Sequence, residues 1–73
     1  MDINLRITLK AARVNAGLKQ YEVADQLTKY FGRKVSRQRV AYYENHPEEI
    51  PLAYGAAFSK IYHWPQDALK FTN

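Results

Sequence analysis

The sequence predicts an all-α domain of five helices, and three observations carry that expectation. Apolar residues recur at helical spacing along most of the chain. No segment alternates strictly between apolar and polar residues, and no hairpin dipeptide joins two β-rich runs. Glycine or proline stands at the joins between the periodic segments.

The first segment, "DINLRITLKAARVNA", places Leu5, Leu9, Ala12 and Ala16 on one face, with Asp2 or Asn4 as N-cap and Gly17 as the stop. The second, "KQYEVADQLTKYF", repeats the pattern through Val23, Leu27 and Tyr30 or Phe31, and Gly32 ends it. The third, "SRQRVAYYE", starts at the favourable N-cap Ser36 and sends Val40 and Tyr43 to a core. "NHPEEIP" is a loop by its two prolines and its polarity. In the fourth helix, "LAYGAAFSKIYHW", Gly55 and three alanines allow close packing. Pro65 suits the first turn of a short fifth helix, "PQDALKF".

Seventy-three residues make one domain, 1–73, near the size where a single core is only just sufficient. Without cysteine, no disulfide or thiolate metal site supplements that core. Apolar runs are too short for a membrane span, and no signal-peptide h-region follows the N-terminus, so a cytoplasmic location is expected. The net charge of +4 is unevenly placed. Residues 1–40 hold nine Lys/Arg against Asp2, Glu22 and Asp25, whereas residues 41–73 hold two against Glu44, Glu48, Glu49 and Asp67. An anionic partner on the N-terminal half is the sharper reading, and a solvated basic face the plainer one.

The most informative stretch is "VSRQRVAYYEN", where Arg37, Gln38 and Arg39 follow Ser36 in the first turn of a helix. Three long polar side chains cannot all face a core, so part of this turn is offered to solvent or a partner. Other chemistry is not encoded. His46 and His63 lie far apart near helix ends, which favours turn roles over metal ligation. Glu48 and Glu49 have no nucleophile or glycine-rich phosphate cradle beside them, so neither an enzyme nor a cofactor is expected. Most of the six tyrosines sit at spacings that fill a core or its rim.

"AARVNAGLKQYEVADQL" followed by "VSRQRVAYYEN" resembles the DNA-binding domain of lambda-type repressors and Cro proteins, the XRE-like helix-turn-helix family. The resemblance runs from about Leu5 to Leu69 and implies a compact five-helix lambda-repressor-like fold. It implies a partly buried ion pair between Arg13 and Glu44, and a phosphate contact from Gln20 at the start of helix 2. It also implies that Arg37, Gln38 and Arg39, with Tyr42 one turn on, lie on a recognition helix at about 36–44 that enters a major groove. Arg33 and Lys34, in a turn longer than in compact relatives, are further candidates for phosphate contact.

Lys19 stands where the family usually has a capping Ser or Thr. "NHPEEIP" places Glu48 and Glu49 where the family carries glycine and basic residues. Two functions follow from the resemblance. One is a small regulator of a phage-type genetic switch, of Cro type, whose partner is double-stranded DNA. The alternative is an antirepressor, of modulator-of-repression type, that turns the same face and the acidic loop toward a cognate phage repressor protein. An antitoxin of helix-turn-helix type is a third possibility. In each case the setting is the cytoplasm of a bacterial host.

Overall fold

In a computed structural model, which describes residues 7–70, the chain is mostly helical. A two-residue strand β1 (Ile7–Thr8) leads into α1 (Leu9–Asn15), followed by α2 (Gln20–Phe31) and α3 (Arg37–Asn45). A single 3-10 turn, Pro47–Glu49, connects to α4 (Leu52–Tyr62). A second 3-10 turn, Gln66–Ala68, runs into β2 (Leu69–Lys70), which pairs in parallel with β1 through Ile7↔Leu69 and Thr8↔Lys70.

The expected first helix is shorter at its start. Thr8 is extended and its hydroxyl accepts the Ala11 N–H at 3.1 Å, so it is the N-cap. The expected caps Asp2 and Asn4, and the apolar Leu5, lie outside the described residues. The helix stops as the glycine predicts. Gly17, at φ 73°, donates to Val14 O at 3.0 Å, and Leu18 N–H reaches Arg13 O at 3.1 Å. This double return is the Schellman arrangement, which needs a left-handed residue at that point.

No strand was expected, and the fifth helix is replaced. After Pro65 the backbone makes one 3-10 turn, and Leu69 then becomes extended and almost fully buried. Burial of Leu69 in the core and the pairing of its strand with β1 take the place of a further helical turn. Among the described residues the architecture is therefore four α-helices and a minimal parallel pair.

The core joins all the elements. Leu9 and Ala12 of α1, Val23, Ala24 and Leu27 of α2, and Val40 and Tyr43 of α3 meet Ala57, Phe58, Ile61 and Tyr62 of α4, with Leu69 beneath. Phe31 is half-buried against this cluster, whereas its neighbour Tyr30 is exposed. Gly55 is buried, but Ala57 is the alanine of α4 that packs inward; Ala53 and Ala56 face out. The rings of Phe31, Tyr54, Phe58 and Tyr62 form a continuous series, with centroids 4.7, 6.3 and 5.7 Å apart.

The connection between α2 and α3 is held by one hydroxyl. Gly32, at φ 71°, ends α2, and the chain returns to the core at Val35. Val35 N–H donates to Thr28 Oγ1 at 2.9 Å, and the same hydroxyl reaches Ala24 O at 2.9 Å. The turn is thereby fastened to the helix it leaves. Both histidines take the turn positions expected of them. His63 closes α4 in the left-handed region, at φ 59°, and His46 N–H closes α3 on Tyr42 O at 2.8 Å.

Tyr62 carries a pH dependence. Its hydroxyl is buried with no hydrogen-bond partner among the described residues, and burial pushes its pKa well above the ordinary 10.0. An acid whose folded pKa is raised stabilises the fold fully below its unfolded pKa. That contribution is lost as pH rises beyond about 10. Tyr62→Phe is expected to be neutral or stabilising at pH 7, since it removes an unpaired polar group. It should also fall less steeply above pH 10. Thermal melts of both proteins between pH 7 and 11 check this, and parallel curves would refute it.

Candidate functional site

The first turn of α3 is set by its cap. Ser36 is extended and its Oγ accepts the Arg39 N–H at 3.2 Å. With about 100° per residue, fixing Val40, Tyr43 and Glu44 inward fixes the rest. Gln38, Tyr42 and Asn45 then point outward, while Arg37 and Arg39 project to opposite flanks; all five are exposed.

The inward flank is an ion-pair network. Arg13 Nε lies 2.6 Å from Glu44 Oε2, and Nη1 donates to Leu18 O at 3.0 Å. The side chains are 12% and 5% exposed, so the pair is well shielded from water. The hydrogen bond to Glu44 is the main cause that holds the Arg13 pKa above its ordinary value. The Gln20 amide donates to Glu44 Oε1 at 3.0 Å. One carboxylate on α3 thus receives α1 and α2 together. The resemblance implies a phosphate contact for Gln20; one of its two amide N–H groups is committed internally, and the second remains for another acceptor.

Two of the shallow grooves around this turn lie on its flanks. One is lined by Lys10, Lys19, Gln20, Tyr21, Arg37 and Asn45 above the ion pair. The other runs past Arg39 and Tyr43 to Arg33, Lys34, Pro51 and Tyr54. Arg33 and Arg39 lie over aromatic faces, with Cζ 5.9 Å from the Phe31 centroid and 6.0 Å from that of Tyr43. Cations therefore stand on both sides of α3. Arg33, Lys34, Ser36, Arg37, Gln38, Arg39 and Tyr42 lie on or beside this surface, with Gln20 at its inner edge.

Sequence reasoning did not single out Lys10, Tyr21 or Asn45 as members of this surface. Lys10 and Tyr21 come from the exposed sides of α1 and α2, which periodicity identifies only as solvated. Asn45, expected in the loop, is the last residue of α3. Its i+7 spacing from Gln38 was the available signal. Lys19 lacks the hydroxyl with which Ser or Thr caps a helix. Its side chain indeed makes no cap, although Glu22 Oε1 accepts its backbone N–H at 2.8 Å and supplies half of a capping box.

Glu48 and Glu49 are exposed on the 3-10 turn beside α3. The Tyr42 hydroxyl donates to Glu49 Oε1 at 2.6 Å, and this bond is the main cause that raises the Tyr42 pKa. His46 Nδ1 is 3.8 Å from Glu48 Oε2, and its ring lies against Tyr42 with centroids 4.4 Å apart. His46, Glu48 and Glu49 bring ligand atoms within 4.8 Å of one another, an exposed trio of the kind that can hold a cation. Exposed acidic groups commonly cluster in this way without one.

The network yields a stability test. Arg13→Met leaves the Glu44 carboxylate shielded with only the Gln20 amide, and should cost about 3 kcal/mol. Adding Glu44→Leu removes the stranded charge and should recover much of that loss. Denaturant melts of the two single variants and the double variant check this; additive losses would refute it.

No family model matches the chain, and no curated protein or solved structure matches it.

Proposed function

We propose that the protein is a small helix-turn-helix regulator that binds double-stranded DNA, with α3 as the recognition helix in the major groove. The observation that carries this reading is the distribution of charge about α3. Uncharged hydrogen-bonding side chains, Gln38, Tyr42 and Asn45, lie along its outward centre, and cations lie on each flank. A helix in the major groove meets base edges along its centre and a phosphate strand on either side. Lys10, Lys19 and Arg37 would serve one strand, and Arg33, Lys34 and Arg39 the other. The α2 N-terminus and the second Gln20 amide hydrogen add donors on the first side.

The basic first half of the chain supports the same reading, as does the likeness of its motif to lambda-type repressors and Cro proteins. A phage-type genetic switch is the setting that likeness suggests. No helix among the described residues is long and apolar enough to cross a membrane.

A second reading is favoured by a specific observation. Glu49 is held on Tyr42, so negative charge stands on the same face as the cations. A cognate repressor's own DNA-reading surface is basic and would pair with such an edge. In that antirepressor reading the same face inactivates the repressor rather than contacting an operator. Glu48→Lys with Glu49→Lys would then slow association with the repressor at low salt.

The DNA reading predicts two kinds of effect. Gln38→Ala should weaken specific binding by about 1–3 kcal/mol and relax preference at one base pair. Lys10→Ala and Lys34→Ala should each weaken all sequences alike and reduce the salt slope by about 1. Titrations of the purified protein against its own upstream DNA, at several salt concentrations, measure both quantities. Unchanged affinity and slope in all three variants would overturn the reading.

A further inference from the structure

An exposed carboxylate at a DNA-reading surface is repelled by the phosphates unless it meets a hydrogen-bond donor. The donors in the major groove are the exocyclic amino groups of cytosine and adenine; guanine and thymine present acceptors there. Glu49 sits at the tip of Tyr42, one turn beyond Gln38 on the outward side of α3, and shares a groove with Gln38, Arg39 and Tyr42.

The bond between them fixes the polarity of the pair. Tyr42 spends its only hydroxyl proton on Glu49 Oε1, so its remaining oxygen lone pairs only accept. Glu49 Oε2 also only accepts. A tyrosine hydroxyl, with an ordinary pKa of about 10, keeps that proton throughout the neutral range. A tyrosine alone could donate or accept and would read little. Braced by Glu49, it becomes one side of an acceptor-only unit.

We propose that Tyr42 and Glu49 together form a base-reading element that selects a cytosine or adenine amino group and rejects guanine and thymine at one position of the site. The inference rests on the DNA-binding reading above. It gives the acidic turn a role in specificity, where charge alone would make it a liability. Glu49 is the selecting group, and Tyr42 holds it at reading depth.

The test is selection of the intact protein on a pool of randomised duplex DNA, followed by affinity measurement on the enriched sequence and its single-base variants. The wild type should enrich one position for cytosine or adenine on the contacted strand, with about tenfold discrimination. Glu49→Gln, which can donate as well as accept, should lose that preference and keep the others. Tyr42→Phe, which removes the brace and keeps the ring, should lose preference at the same position. Both side chains are exposed, so neither substitution removes a core contact.

If Glu49→Gln tightens every sequence equally and leaves the profile intact, the carboxylate is only a repulsive charge and the inference falls. An unchanged profile with unchanged affinity overturns it equally, because the group then does not reach the bases. If the wild type enriches no sequence at all, the DNA-binding reading fails and carries the inference with it. Enrichment by the wild type that both variants leave untouched overturns the inference alone.

Discussion

The carboxylate of Glu44 is the constraint on which the arrangement of the first three helices depends. It accepts from Arg13 on α1 and Gln20 on α2 while belonging to α3. The Arg13 guanidinium also holds Leu18 O, so the turn between α1 and α2 is fastened to the same point. Apolar packing specifies that these helices meet; it is non-directional and tolerates sliding. A planar guanidinium on a shielded carboxylate is directional, and it defines one relative orientation. The exposed surface inherits that definition, because Lys10, Lys19 and Arg37 ring the network that lies below them.

A second fastening acts at the other end of α2. Thr28 takes the Val35 N–H, which returns the chain after Gly32 and places Ser36 where its hydroxyl starts α3. The two contacts divide the work. Glu44 fixes how α3 is rotated about its axis, and Thr28 fixes where α3 begins. Together they determine that Arg37 and Arg39 fall on opposite flanks with Gln38 between them. The placement of charge about α3 follows from two buried or half-buried hydrogen-bond sites that lie beneath or beside the charges.

Much of this was legible in the chain. Periodicity located α2, α3 and α4 and most of the core, and Ser36 and Gly32 marked their ends, because capping and left-handed turns have strong residue preferences. The start of α1 was not legible. Leu5 continues a helical repeat that Thr8 interrupts by capping, and local pattern does not report the pairing of Ile7 with the distant Leu69. The same contact replaced the expected fifth helix. At the surface, single residues such as Ser36 and Arg37 could be assigned, whereas the bond from Tyr42 to Glu49 could not. It depends on how the 3-10 turn folds back along α3, which no spacing rule encodes.

The pairing of Ile7 with Leu69 joins nearly the two limits of the described chain, the costliest kind of contact to close by chain diffusion. Each of its strands is only two residues long, too short to form before the helices bring them together. Such a pair is expected to close, like a clasp, after the helices have assembled. Amide hydrogens at this pair should therefore exchange through local opening, well before those of Val23 or Val40 in the helical core. Because Thr8 also caps α1 and Leu69 belongs to the shared core, each opening of the clasp would loosen the start of α1 as well.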